Sequence, residues 1–136
     1  MKYPIDRKER VTLGGLKQAI HIWGTKQENP VILFLHGGPG VPNRHGMALS
    51  HMDLTDDFTI VGWDQRGTGG SYFGCAPESL TLDQLISDCK ELIDYLCKTL
   101  NKDKIFLLIC LQLQDLKELH FLFLLILVSY KIFPPH

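Results

Sequence analysis

The chain has 136 residues, of which 45% are hydrophobic and 21% are charged, proportions that are typical of an ordinary globular domain. Its 14 basic and 15 acidic residues nearly cancel, so the chain has neither the basic surface that nucleic-acid binding needs nor an acidic tail. The four cysteines show no metal-ligand spacing and the N-terminus lacks the apolar core of a signal peptide, which favours reduced thiols and a cytoplasmic location.

Strands are predicted first along the chain. Residues 10–14 and 17–23 alternate or are rich in β-branched and aromatic types, and Gly14-Gly15 between them is typical of a hairpin turn. An Asn-Pro pair then interrupts the pattern. Val31–Leu35 is a short continuous apolar run, as expected of a strand that is buried on both faces.

The middle of the chain alternates helix and strand signals. Residues 44–53 are a weak helix candidate, and residues 58–63 (FTIVGW) form another buried-type strand. Residues 81–101 give the clearest helix, because Thr81 and Gln84 form a T-x-x-Q capping box ahead of apolar residues at helical spacing. These apolar residues are Leu82, Leu85, Ile86, Cys89, Leu92, Ile93, Leu96 and Leu100. Residues 104–109 (KIFLLI) are a further buried-type strand.

This order of elements predicts an α/β fold. We expect an open, largely parallel sheet with helices on its faces and an antiparallel hairpin at one edge. In such a sheet ligands bind at the carboxyl ends of the strands, where the segment HGGPG follows residue 35.

The segment HGGPG has two readings. A backbone turned by Gly37 and Gly38 can expose N–H groups that stabilise a developing oxyanion, with Pro39 stiffening the turn. The alternative is a tight loop that only reverses the chain, with His36 as a structural hydrogen-bonding residue at the strand end. The residues alone leave both readings open.

Two linked motifs extend this segment. ILFLHGGPG, followed by FTIVGWDQRGTGGS, resembles the proline iminopeptidase-like branch of the α/β-hydrolase family, in which an HGGPG loop precedes a W-D-Q-R-G-x-G-x-S loop. The resemblance covers about residues 9–108. It implies an incomplete α/β-hydrolase sheet and a parent activity that releases N-terminal residues from small peptides or hydrolyses related amides and esters.

The resemblance also implies site residues. Gly37 and Gly38 would supply oxyanion-hole N–H groups, and both loops would shape the active site without a cofactor or metal. The predicted loop residues are His36, Pro39, Gly40, Trp63, Asp64, Gln65, Arg66, Gly67, Gly69 and Ser71. Arg66 and Asp64 can equally have a structural role, pairing with each other or with loop carbonyls.

A nucleophile is missing where the chemistry requires one. The family would place a G-x-S-x-G elbow directly after the KIFLLI strand, but the chain continues there as ICLQLQ and has no glycine after Gly74. Ser71 and Ser129 lack the motif, and Cys110 is flanked by apolar residues that would raise the pKa of its thiol. With the acid and catalytic histidine also missing, no catalytic residue is assigned and we expect an inactive fragment.

Two other kinds of site are weaker alternatives. A metal cluster would have to use residues whose spacing matches no recognised site, namely His36, His45, His51 and Asp53. The Gly67–Gly70 segment is not a dinucleotide fingerprint, because Tyr72 occupies the place of the third glycine.

The composition changes after residue 110. We therefore divide the chain into residues 1–110, the N-terminal part of an α/β-hydrolase domain, and residues 111–136, an apolar tail that does not match the family. A frameshift or splice boundary near residue 108 would explain the change. Residues at roughly helical spacing predict one helix over 111–130, covering a sheet that would otherwise expose the KIFLLI strand at its edge.

The apolar tail suggests a competing function. Its unbroken apolar stretch, Phe121–Val128, is much shorter than the roughly 18–20 residues that span a bilayer, so membrane association through 119–133 is the weaker expectation. The alternative to a hydrolase fragment is a non-enzymatic interaction or membrane-associated protein that uses this Leu/Phe-rich tail. Self-association through the exposed sheet edge belongs to the same alternative.

Overall fold

The computed structural model describes residues 4–35, 52–114 and 119–129. The regular elements in these ranges are, in chain order, strands β1 (Ile5–Leu13), β2 (Leu16–Gly24), β3 (Val31–Leu35) and β4 (Thr59–Trp63), helix α1 (Leu82–Thr99), and strands β5 (Lys104–Gln114) and β6 (Leu119–Ser129). Short 3-10 turns lie at Met52–Asp56, Gly69–Ser71 and Pro77–Ser79. The strands form one mixed sheet in the order β1-β2-β4-β3-β5-β6.

The N-terminal hairpin confirms the prediction from the Gly-Gly pair. β1 and β2 are antiparallel in a register that ends with Leu13 opposite Leu16, which leaves a two-residue turn. Gly14 and Gly15 have φ values of +55° and +77°, and a two-residue turn with positive φ at both positions matches the twist of the strands. Glycine is favoured here because it adopts this backbone region without a steric penalty.

The centre of the sheet is parallel. β3 lies between β4 and β5 and is parallel to both, with Leu33 opposite Val61 on one side and Leu107 on the other. A parallel connection needs a crossover, and the segment that contains α1 makes it between β4 and β5. β4 is buried throughout, as its apolar sequence predicts for a strand covered on both faces.

Apolar cores lie on both faces of the sheet. On one face, Leu92, Ile93 and Leu96 of α1 pack with side chains from the strands. The opposite face carries a smaller cluster, whose buried members are Trp23, Ile32, Phe34 and Ile60. Burying this apolar area is the main stabilising contribution to the fold.

Helix α1 begins where the capping box predicts. The Oγ1 atom of Thr81 accepts a hydrogen bond of 3.1 Å from the backbone N–H of Gln84. The first two turns differ from the expected apolar face, because Leu82 and Ile86 are 70% and 45% exposed. In residues 4–35, 52–114 and 119–129, no helix combines the length and apolar character needed to cross a membrane.

The predicted helix over 111–130 is wrong for the part of the tail that the structure describes. β5 continues to Gln114, and β6 returns antiparallel to it, from Gln114 opposite Leu119 to Lys104 opposite Ser129. A short apolar run has no decisive periodicity, and pairing as a strand satisfies the backbone groups along the edge of β5, which a helix would leave open. The tail therefore covers that edge as a strand. Most of the other predicted helix, residues 44–53, lies outside the described residues.

Candidate functional site

The topology places a candidate site at the carboxyl ends of the central strands. The chain passes from β3 to its neighbour β4, and then crosses to β5 on the opposite side of β3. Strand order thus reverses at β3, which has β4 on one side and β5 on the other. In open α/β sheets this reversal creates the crevice in which ligands bind.

One of the two predicted loops can be located only by its starting point. β3 ends at Leu35, which lies opposite Ile109 of β5. The predicted loop residues His36, Gly37, Gly38, Pro39 and Gly40 follow directly but lie outside the described residues, so their roles stay predictions. The histidines of the metal alternative lie outside as well. Within the described ranges, no group of three or more His, Cys, Asp or Glu is placed to hold a metal.

The second predicted loop leaves β4 and is closed by Asp64 and Ser71. The Oδ2 atom of Asp64 accepts a hydrogen bond of 3.0 Å from the backbone N–H of Gly70. The buried Ser71 hydroxyl donates to the Asp64 carbonyl at 2.5 Å and accepts from the Ala19 N–H at 2.8 Å. These contacts fasten the loop to β2, so Ser71 is a structural residue in this arrangement.

Two glycines give the same loop its shape. Gly67 and Gly69 have φ values of +78° and +44°, a backbone region that residues with side chains rarely adopt. The Gly67 N–H donates to the Ser71 carbonyl at 3.1 Å, and the Thr68 N–H donates to the Gln65 carbonyl at 3.0 Å. The spacing of glycines in the motif therefore follows from the backbone conformation that the loop requires.

Arg66 points into the protein and binds Asp88 of α1. Its Nε donates to Oδ2 at 2.7 Å and its Nη2 to Oδ1 at 3.1 Å, which is the two-point geometry of a strong ion pair. The carbonyls of Leu13 and Gly14 also accept from Nη2, at 3.3 and 3.1 Å, and the Ser79 hydroxyl accepts from Nη1 at 3.1 Å. Arg66 thus joins the loop, the hairpin turn and the helix.

The Asp88 carboxylate is fully buried and has four hydrogen bonds. Besides the two from Arg66, Gln18 donates to Oδ2 at 2.9 Å and Gln84 donates to Oδ1 at 2.8 Å. Four donors are about as many as a carboxylate can accept. Trp63 extends the network, because its indole N–H donates to the Gln18 side chain at 3.0 Å. The hydrogen bonds with Asp88 raise the pKa of Arg66, which keeps its charge.

The sequence analysis missed Gln18, Gln84 and Asp88 as members of this network. It offered Asp64 or carbonyls of the same loop as partners of Arg66, whereas the structure pairs Arg66 with Asp88 and with the carbonyls of Leu13 and Gly14 in the hairpin. One signal was available in the sequence. Asp88 lies between Leu85 and Leu92 on the helix, at a position where the apolar stripe continues, and a charge there indicates a buried partner.

A pocket of about 500 Å³ lies beside the loop and the first turns of α1. Its lining residues are Gln65, Arg66, Gly67, Thr68, Leu80, Thr81, Leu82 and Leu85. The described site thus combines a rigid, hydrogen-bonded loop with an apolar pocket. The hydroxyl of Ser71 in this loop is 1% exposed and already bonded in both directions, so it is not placed to attack a substrate.

Known proteins resemble the chain in sequence. A probable aminopeptidase of Bacillus subtilis, YbaC, is 36% identical over 107 residues, which cover 78% of this chain and 34% of the relative. The proline iminopeptidase of Lactobacillus acidophilus is 30% identical over 83 residues, covering 60% of this chain and 28% of the relative. The chain therefore spans about a third of the length of these relatives. It matches no family model.

Solved structures agree with this resemblance. The proline iminopeptidase-related protein of Thermus thermophilus aligns with a TM-score of 0.63 and 28% identity, covering 76% of this chain and 35% of that protein. An epoxide hydrolase of Vigna radiata aligns with a TM-score of 0.55 and 31% identity, covering 76% of this chain and 31% of the enzyme. The chain thus has part of the α/β-hydrolase fold and resembles the proline iminopeptidase-like branch of that family in sequence.

Proposed function

We propose that the chain is the N-terminal scaffold of a proline iminopeptidase-like hydrolase and, as the 136-residue polypeptide, does not hydrolyse peptides, amides or esters. In this proposal residues 1–110 correspond to the hydrolase domain and residues 111–136 to an unrelated apolar tail. The parent activity would be the release of N-terminal residues from peptides in the cytoplasm. The names of the relatives, an aminopeptidase and a proline iminopeptidase, support this activity class.

The course of β5 carries the proposal. A serine nucleophile of this family needs a sharp turn from strand to helix at the carboxyl end of its strand. Here β5 reaches Ile109, opposite the last residue of β3, and continues extended to Gln114. Each residue from Cys110 to Gln114 is paired with β6. A backbone held in a strand ladder cannot also form the elbow that would present a nucleophile.

The two predicted loops would retain a binding role. We infer that Gly37 and Gly38 correspond to the residues that form the oxyanion cradle in the parent enzymes. In this proposal the loop from Trp63 to Ser71, which follows the neighbouring strand, supports that cradle. The hydrogen bonds of Ser71 and Arg66 favour a rigid support over a catalytic group. Without a nucleophile this cradle would have no oxyanion to stabilise.

An activity measurement with a matched positive control tests this proposal. The purified chain and the Lactobacillus acidophilus proline iminopeptidase are incubated with a proline anilide, and in parallel with a fluorophosphonate probe. We expect turnover and covalent labelling of the relative only, while the emission of Trp23 and Trp63, both buried, shows that the chain is folded. Labelling of one serine in the folded chain would overturn the proposal.

The extended tail favours a second candidate function, which is interaction with another polypeptide. The described residues leave one side of β6 without a strand partner. The chain also covers only about a third of the length of its relatives. A polypeptide that carries the remaining part of the hydrolase could complement the scaffold. Mixing the chain with such a fragment of the Bacillus subtilis relative tests this, and hydrolysis that requires both components would support complementation.

A further inference from the structure

The two ends of the sheet differ in how they are protected from other chains. β1 and β6 are the end strands, so each is paired on one side only within the described part of the chain. The other side of an end strand presents backbone N–H and C=O groups that can pair with a strand from another molecule. Natural proteins usually block such an edge with charged residues, prolines or bulges.

The β1 edge has this protection. Five consecutive charged residues, Asp6–Arg10, occupy the middle of the strand. Asp6, Lys8 and Arg10 are exposed, and the Arg10 guanidinium also binds the Gly70 carbonyl at 2.8 Å. A second strand placed against β1 would have to accommodate this run of positive and negative charges. The β1 edge therefore disfavours pairing with another chain.

The residues of β6 itself give its edge no such protection. Its 11 residues, Leu119–Ser129, include no Asp, Glu, Lys, Arg, Pro or Gly, and His120 is their one ionisable side chain. At about 3.3 Å per residue the strand is about 36 Å long, roughly twice the usual length. The remaining residues other than Ser129 are Leu, Ile, Val and Phe at both odd and even positions. Long, apolar and uncharged edge strands are those that pair with other chains.

We propose that the outer edge of β6 pairs antiparallel with β6 of a second copy of the chain, which joins the two sheets into one. A second copy is the favoured occupant because an antiparallel pair of identical strands is self-complementary about a two-fold axis. A register centred on Leu124 places His120 opposite Val128 of the partner subunit, so no like charges face each other. The pairing uses the β6 edge that residues 4–35, 52–114 and 119–129 leave without a partner in each copy, and the charged β1 edge blocks further growth.

Sedimentation equilibrium of the full chain tests the proposal. We expect a reversible monomer–dimer equilibrium without larger species. Leu124→Lys would place two like charges opposite each other across the two-fold axis and is expected to raise the dimer dissociation constant at least about tenfold. Thr12→Lys adds the same charge at an exposed position of β1 and is the matched control, with an unchanged dissociation constant.

The emission of Trp23 and Trp63 would reveal a Leu124→Lys variant that fails to fold. A second measurement, on the unmodified chain, tests the proposal without any substitution. Hydrogen exchange is followed at two protein concentrations on either side of the dimer dissociation constant. We expect amides in residues 119–129 to become more protected at the higher concentration, and amides in residues 5–13 to stay the same. A monomer at all concentrations, open-ended assembly, or concentration-dependent protection only outside β6 would each overturn the proposal.

Discussion

Arg66 in the loop after β4 and Asp88 in α1 form a two-point ion pair whose side chains are 8% and 0% exposed. The two residues are 22 positions apart in sequence. Their contact connects the loop after β4 to helix α1, which covers one face of the sheet. Gln18 and Gln84 donate the remaining two hydrogen bonds to the Asp88 carboxylate. The two buried charges therefore neutralise each other, and the carboxylate is fully hydrogen-bonded. The loop position is therefore determined by the helix.

Removing one member of this pair should strongly destabilise the fold. Arg66→Met leaves the Asp88 carboxylate buried without its counter-charge, and we expect the free energy of unfolding to fall by about 3–5 kcal/mol. The double variant Arg66→Met/Asp88→Leu should lose less than the sum of the two single variants, because no isolated charge remains. Urea unfolding followed by tryptophan fluorescence measures both quantities.

An exposed ion pair on the same helix gives the control for this prediction. Lys98 and Asp94 are 3.0 Å apart at i, i+4 spacing, with side chains 58% and 35% exposed. Lys98→Met should cost less than about 1 kcal/mol, because water already solvates both groups. Equal losses for Arg66→Met and Lys98→Met would contradict a special role of the buried pair.

The hydroxyl of Ser71 should matter for stability. Ser71→Ala leaves the Ala19 N–H and the Asp64 carbonyl without this partner in a buried place, and the expected cost is about 1–3 kcal/mol. Ser87→Ala, on an exposed position of α1, should change stability by less than about 0.5 kcal/mol. Thermal unfolding of both variants separates a structural hydroxyl from an unimportant one. A Ser71→Ala variant as stable as the original chain would disprove this role.

The two turn glycines should respond differently to alanine. Both have positive φ, so either substitution strains the backbone by about 1–2 kcal/mol. At Gly14 the new methyl group would also collide with the side chains of Gln84, Asp88 and Arg66, whereas at Gly15 it would meet open space. Gly14→Ala should therefore cost clearly more than Gly15→Ala in urea unfolding. Equal losses of unfolding free energy would mean that the side chains of Gln84, Asp88 and Arg66 move aside to make room for the methyl group.

The buried thiol of Cys97 and the half-buried thiol of Cys89 should make the fold sensitive to alkaline pH. Burial raises the pKa of Cys89 and of Cys97 from 9.0 to about 11. Above pH 9 these thiols ionise in the unfolded chain but stay protonated in the folded one, so stability is lost progressively between about pH 9 and 11. Burial also raises the pKa of Tyr95, which acts in the same direction.

The contribution of the thiols can be separated from that of Tyr95 by substitution. The Cys89→Ala/Cys97→Ala variant should show a shallower loss of unfolding free energy between pH 9 and 11 than the original chain, because its thiols no longer titrate. Its stability is compared with its own value at pH 7, since the smaller side chains lower stability at every pH. An unchanged slope would assign the alkaline loss to other groups.

Short-range patterns in the sequence were sufficient for several elements. The Gly-Gly turn, the buried run Val31–Leu35 and the Thr81 cap were confirmed, because each depends on residues only a few positions apart. The glycine loop that starts at His36 lies outside the described residues, so its oxyanion role stays a prediction. The α/β-hydrolase resemblance was predicted from two motifs that are also local in sequence, and the comparisons with known proteins confirmed it.

The amino-acid order alone determined the presence and order of strands β1 to β4, the start of β5, helix α1, and the family that the motifs resemble, since backbone preference and apolar periodicity are local properties. Tertiary structure decided that Arg66 pairs with Asp88, that the Ser71 hydroxyl ties a loop to β2, and that β5 continues into a pair with β6. These outcomes depend on groups that meet only when distant segments pack. A buried charge or an open strand edge takes whichever partner the completed fold brings within hydrogen-bonding distance.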